Sequence, residues 1–346
     1  MPLVDHNQLL EQDLSRNPGA PFKYGHKHLV NYSPDNSGKW EETTTGGRLW
    51  HITFKSKNAF ALSIDFEQFY IPKGGELYIY NSNYDTILGA YTYLNNSNTS
   101  QFSTPLIEGD IITLEYYEPA NTNEKISFTI TEIIHDYRDI MNFSNDNRDW
   151  ECGINVICET NEVYQGPINS VAFLDMGGFI CSGAMINNVR QDLTPYFLTA
   201  WHCINGENPN TFRFYFNKQA SSCENTWGSA GEYAYGSDLL SHSNGISNGD
   251  WALLLINDDI EEDWEVYYSG WDMTGDYPLI SSGVHHPGGT PKKINYDNDI
   301  AYGAWWDNAT DGLTHWQVNW DSGGSEGGSS GSPIFNDRFR IVGVLT

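Results

Sequence analysis

From about residue 46 onward the chain is built of short alternating apolar and polar runs punctuated by turn chemistry, and nowhere does it hold a helical apolar period over helical length. The runs RLWHITFK (Arg48 to Lys55), AFALSIDF (Ala59 to Phe66), ELYIYN (Glu76 to Asn81), TILGAYTY (Thr86 to Tyr93), DIITLEYYEP (Asp110 to Pro119) and KISFTITEII (Lys125 to Ile134) read as strands. Between them lie PKGG, NSNYD, NNSNTS and NTNE, whose glycine, proline, asparagine and aspartate favour tight turns. A strand of period two has one apolar face to bury, so a series at this spacing predicts an antiparallel β-sandwich over residues 46–136. Residues 1–45 are polar, rich in Asn, Pro and Gly and without sustained periodicity, and are expected to form a polar N-terminal segment.

Tyr137 to Trp150, YRDIMNFSNDNRDW, has no strand pattern and reads as a linker over 137–150. Beyond it, SVAFLDM, FICSGAMI, PYFLTAWHC, TFRFYFN, WALLLI and RIVGVLT are again strand-like and are separated by long loops. The 346 residues therefore suit two all-β domains, the second spanning 151–346. Forty-five acidic against 18 basic residues give a formal charge of -27, which excludes non-specific binding to nucleic acid or anionic lipid. No apolar run approaches the roughly 20 residues that span a bilayer.

The first residues lack a basic start and a continuous apolar stretch, so either the protein is cytosolic or a signal sequence is absent from this chain. The cysteines favour the second alternative. All five fall at 152, 158, 181, 203 and 223, with no CxxC pair and only His202 close to one of them, so disulfides in an oxidising compartment are expected rather than zinc. An odd count leaves one over.

EGGSSGSPIF, Glu326 to Phe335, is either a Gly/Ser linker or a turn that presents a nucleophile. A serine hydroxyl needs a histidine to take its proton, a carboxylate to fix the histidine tautomer, and N–H groups to hold the developing oxyanion. His202 stands at the end of the apolar run in PYFLTAWHC, and Asp250 directly precedes the apolar run Trp251 to Ile256. Asp238, Asp258 and Asp272 are rivals for the acid, but none is followed at once by so apolar a run. In Gly328-Ser329-Ser330-Gly331, Ser330 occupies the Gly-x-Ser-Gly frame; Gly328 and Ser330 can supply the two N–H donors, while Ser329 and Ser332 serve the turn. The following PIFNDRFRIVGVLT reads as a hairpin, which a linker would not need.

The order His202, Asp250, Ser330 resembles the chymotrypsin-fold order of base, acid and nucleophile. FICSGAMINN, YFLTAWHC, GDWALLLI, YYSGWD, HHPGG, Ala304-Trp305 and GSSGSPIF, with CGINVIC at Cys152 to Cys158, are together similar to the lysyl endopeptidase group of secreted bacterial serine proteases. The resemblance implies a chymotrypsin-like double β-barrel over 151–346, His202 as general base, Asp250 as its partner, Ser330 as nucleophile, and Gly328 and Ser330 as the oxyanion hole. It implies disulfides Cys181 to Cys203 and Cys158 to Cys223, with Cys152 left for a family cysteine downstream of the last strand. Residues 40–140 resemble the pro-region of such precursors.

The chain stops at Thr346, ahead of the family's lysine-selecting aspartate, so a C-terminally truncated zymogen is expected and its own P1 preference is left open. Ser329 stands where trypsin has the aspartate that receives the new N-terminus on activation, so that ion-pair switch is not expected here. Activation would rely on removing the pro-region, with a cut near Arg148, and on the Cys152 tether.

Three further motifs have plainer readings. His285-His286-Pro287 suits a structural loop touching the pocket better than a metal site, which makes His286 a substrate-cleft candidate, and Trp305 resembles a pocket tryptophan of the family. NYDNDI has no EF-hand spacing and reads as turns. The expectation is a secreted, monomeric serine endopeptidase that needs no cofactor and acts on protein or peptide substrates, with lysine as the candidate P1 residue. The alternative is a catalytically silent secreted binding or adhesion protein on a protease-like scaffold.

Overall fold

The structure is a computed structural model, and it describes residues 1–346 except 18–19, 121, 123, 141–151, 225–227 and 307–312. Two compact units are present, Met1–Leu14 with Tyr24–Met141, and Ser15–Lys23 with Asn142–Thr346. Arg148, the expected cleavage position, lies outside the described residues, as does most of the expected linker. No helix of the described residues is long and apolar enough to cross a membrane.

The first unit holds two five-stranded antiparallel sheets. One runs Lys39–Glu42, Arg48–Lys55, Ile111–Glu118, Glu76–Asn81, Ile87–Tyr91; the other runs Gly25–Tyr32, Ser127–Asp136, Ala61–Tyr70, Gln101–Ser103, with Ile107–Glu108 beside Ala61–Tyr70. Strict alternation decides which face is inside. Ile111–Glu118 turns Ile112, Leu114 and Tyr116 inward, and Glu76–Asn81 does the same with Leu77 and Ile79. The two faces meet through aromatic rings: Trp50 lies edge-on to Phe128 at 5.5 Å, and Tyr91 lies edge-on to Phe102 at 4.7 Å.

Residues 1–45 contribute more structure than their polarity suggests, namely the helix His6–Leu14 and the strands Gly25–Tyr32 and Lys39–Glu42. Their signal is polar because hydrogen bonds fasten this part. The His28 ring and the His135 Nδ1 meet the Ser56 hydroxyl at 3.0 and 2.7 Å, and His135 Nε2 meets His6 Nε2 at 2.8 Å. A hydropathy pattern is blind to such a chain of buried partners.

The second unit is also rich in strands, with two curled antiparallel sheets and a two-stranded ribbon, Tyr302–Ala304 with His315–Gln317. The larger has the order Glu232–Tyr235, Arg213–Phe216, Val171–Asp175, Phe179–Ile186, Tyr196–Ala200, Trp251–Ile256, Ser237–His242. Its core packs Leu174, Met185, Phe197, Phe212, Phe214 and Leu254. The smaller sheet runs Ile154–Asn155, Lys293–Asp297, Ser281–His285, Pro333–Phe335, Ile341–Val344, over Val284, Ile294, Phe335 and Ile341. A short strand from far upstream, Phe22–Lys23, joins the larger sheet by pairing Phe22 with Ile180 and Lys23 with Phe179.

Candidate active site

The larger sheet carries two of the expected residues on neighbouring strands. Tyr196–Ala200 pairs with Trp251–Ile256 so that Ala200 faces Trp251, which brings the residues just beyond the paired ends, His202 and Asp250, together. His202 Nδ1 lies 2.6 Å from Asp250 Oδ2, the His202 backbone N–H donates to Asp250 Oδ1 at 2.9 Å, and the Trp201 N–H donates to the Asp250 carbonyl at 3.1 Å. Asp250 is fully buried and has φ of +46°, a left-handed conformation that aspartate tolerates better than most residues. Both carboxylate oxygens are turned to His202, an arrangement that favours a proton on Nδ1 and leaves Nε2 as the acceptor nitrogen of the ring.

The smaller sheet carries the serine turn. Ser330 precedes Pro333–Phe335, and its carbonyl accepts from the Ser182 N–H at 2.8 Å. Ser182 follows Cys181, whose disulfide partner Cys203 follows His202, so two peptide links, one disulfide and one hydrogen bond tie the serine turn to the histidine. The second disulfide joins Cys158 to Cys223, and Cys152 is in neither. Among the described residues the Ser330 hydroxyl makes no hydrogen bond to His202; such contacts commonly tighten only around a substrate.

The backbone of the turn separates used from available donors. The N–H groups of Ser329, Gly331 and Ser332 donate to Glu326, Leu345 and Ser329 carbonyls at 3.0, 2.7 and 3.1 Å, whereas those of Gly328 and Ser330 make no hydrogen bond among the described residues. Gly328 has φ of +95°, and a Cβ there would stand 2.7 Å from the His286 carbonyl oxygen. Gly331, with φ of +80°, would put a Cβ 2.2 Å from Thr199 Oγ1. Only glycine fits either position. Of the three serines, Ser329 and Ser332 are 0 % and 2 % exposed and Ser330 is 8 % exposed.

A cavity of about 750 Å³ flanks the turn, walled by Trp271, Trp305, Trp306, Trp316, Ser325 and Leu345, among others. Leu345 is bonded to the turn on both sides, accepting from Gly331 and donating to the Ser332 carbonyl at 2.8 Å. Trp305 is thus in the cavity wall. His286 is not: it is fully buried behind the turn, with Nδ1 donating to the Thr290 carbonyl at 3.0 Å and the ring edge-on to Phe173 at 5.5 Å. Burial and the neighbouring Lys292 and Lys218 push its pKa well below the usual histidine range, so it serves as a neutral brace.

Cys181, His202 and Cys203 converge, but the disulfide removes both thiolates as metal ligands. Asp297, Asp299 and Asp321 also converge; Asp297 accepts from the Asp299 and Asn319 N–H groups and Asp321 from Asn298, as in ordinary turns. Sequence reasoning missed the Phe22–Lys23 strand, which is too short to show a period. It also missed Lys218 and Lys292, buried with their ammonium groups donating to the Gly289 and Ile168 carbonyls at 3.0 and 2.9 Å.

Comparison with known proteins bears on residues 146–346 of this unit. The family described as "Lysyl endopeptidase, C-terminal domain" matches residues 146–346. Lysyl endopeptidase of Pseudomonas aeruginosa is 28% identical over 257 residues, covering 67% of this chain, and the chain spans 52% of that relative's length. Among solved structures, a thermostable serine protease from an extremophilic microorganism is 16% identical, covering 52% of this chain and 83% of its own, with a TM-score of 0.37. A scabies mite inactivated protease paralogue is 14% identical, covering 51% and 82%, with a TM-score of 0.39. At those scores the two structural likenesses carry no weight for mechanism.

Proposed function

The chain belongs to the lysyl endopeptidase family, and from that premise we propose that it is a serine endopeptidase in which Ser330 is the nucleophile, His202 the general base and Asp250 the orienting acid. The observation that carries this is the pair of uncommitted N–H groups, Gly328 and Ser330, in a turn whose other donors are taken. Ser330 Oγ bonds to the scissile carbonyl carbon while its proton moves to His202 Nε2, and the carbonyl oxygen becomes an oxyanion held by the two N–H groups. The C–N bond then breaks as His202 returns the proton to the leaving amine. Water repeats the sequence on the ester, releasing the acid and restoring Ser330.

The aromatic walls of the cavity beside the turn suit the aliphatic stem and ammonium head of a lysine, so lysine is the proposed residue on the acyl side of the cut. The disulfides favour secretion. The upstream residues are proposed as a pro-segment. Phe22–Lys23 runs antiparallel to Phe179–Ile180, next to the disulfide that holds the histidine loop, and Phe22 packs within 3.4 Å of where a Gly327 side chain would begin.

The test is covalent labelling with a fluorophosphonate, read by peptide mass spectrometry. Labelling at Ser330 that is lost in Ser330→Ala and strongly slowed in His202→Ala is the expected result. A folded chain that takes no label, or takes it at Ser329 or Ser332, refutes the assignment.

A further inference from the structure

His285 ends the strand Ser281–His285 and touches neither the cavity nor His202, yet its ring is set against the serine turn. His285 Nδ1 lies 2.7 Å from Ser329 Oγ, with His285 2 % and Ser329 0 % exposed. Ser329 Oγ also accepts from the Glu326 N–H at 3.2 Å, so its own hydrogen is available to the imidazole. Burial, foremost, and the Lys293 ammonium lower the His285 pKa to about 4, so the ring is neutral and Nδ1 can accept.

The residues after His285 grip the same turn. The His286 N–H donates to Ser182 Oγ at 3.0 Å, which donates to the Gly328 carbonyl at 2.8 Å, and the Gly288 N–H donates to the Gly327 carbonyl at 2.8 Å. Three successive carbonyl or hydroxyl groups of the turn, at 327, 328 and 329, are thereby fixed from one side. The N–H groups at 328 and 330 make no hydrogen bond among the described residues.

We propose that His285 is a positioning residue for this site: by accepting the Ser329 hydroxyl proton it locks the turn in the orientation that presents the Gly328 and Ser330 N–H groups to an oxyanion. The neutral His285–Ser329 pair does here what a buried ion pair does where the residue before the nucleophile is an aspartate. The proposal rests on the serine endopeptidase reading above.

The experiment uses the full chain and a fluorophosphonate whose phosphoryl oxygen takes the oxyanion position, with the labelling rate separated into a maximal rate and a half-saturating concentration. Ser329→Ala, which deletes one buried hydroxyl, and His285→Gln are each expected to lower the maximal rate by about 10- to 100-fold with the half-saturating concentration unchanged, as removal of oxyanion stabilisation does. The double variant should lose no more than the worse single one, because both break the same bond. A folded Ser329→Ala that labels within about twofold of the parent, or that changes only the half-saturating concentration, overturns the proposal. So does a double variant whose losses multiply. If His285→Gln does not fold, Ser329→Ala alone decides. A parent chain that takes no label overturns the endopeptidase reading, and this proposal with it, whereas a labelled parent with indifferent variants overturns this proposal only.

Discussion

Asp250→Asn isolates the tautomer argument with almost no change of shape. In the parent both carboxylate oxygens accept from His202, one from the backbone N–H at 2.9 Å and one at the ring Nδ1, 2.6 Å away. An asparagine has one acceptor and one donor. If its oxygen keeps the backbone N–H, its NH₂ meets Nδ1, which must then accept, and the ring proton moves to Nε2. The nitrogen that should receive the Ser330 proton is then already protonated.

The expected loss is about 10⁴-fold in the rate of Ser330 labelling, or roughly 5 kcal/mol in the barrier at 1.36 kcal/mol per decade. Stability should move far less, because a neutral amide in a fully buried site leaves no stranded charge. Stopped fluorophosphonate labelling gives the rate, and a thermal melt followed by near-UV circular dichroism shows that the fold is intact. A folded variant that loses less than about 10-fold would refute the assignment of Asp250, since no tautomer block could be that mild.

Removing the Cys181–Cys203 disulfide with Cys203→Ser reopens a 22-residue loop and should cost about 3 kcal/mol, seen as a lower denaturation midpoint, with labelling slowed because Cys203 adjoins His202. No change in either would show that the bridge constrains nothing. In the first unit, burial foremost and neighbouring histidines lower His28 to about 4 and His135 to about 3. The unfolded chain therefore binds more protons than the folded one below the ordinary histidine pKa of about 6.5, so this contribution to stability is full above that pH and is lost as pH falls toward 4. Melts of the parent across this range should show the decline, and His135→Gln should flatten it; an unaltered pH profile would remove the histidine chain as its cause.

Much of this protein was legible before any coordinates. Period-two runs such as Glu76–Asn81 and Ile111–Glu118 state their own inward faces, because a strand's side chains alternate whatever it pairs with. The Gly-Ser run likewise carries its own signal, because no side chain fits at Gly328 or Gly331. What is local in the chain is written locally.

Tertiary structure alone decided the rest. That Phe22–Lys23 joins a sheet more than a hundred residues downstream follows from backbone hydrogen bonds, which carry no side-chain signature. That His286 is a buried brace instead of a cleft residue, and that His285 reaches Ser329, depends on which way a strand end faces once two sheets have packed. Residue type fixes what a side chain can donate or accept; only the fold fixes which partner stands at 2.7 Å.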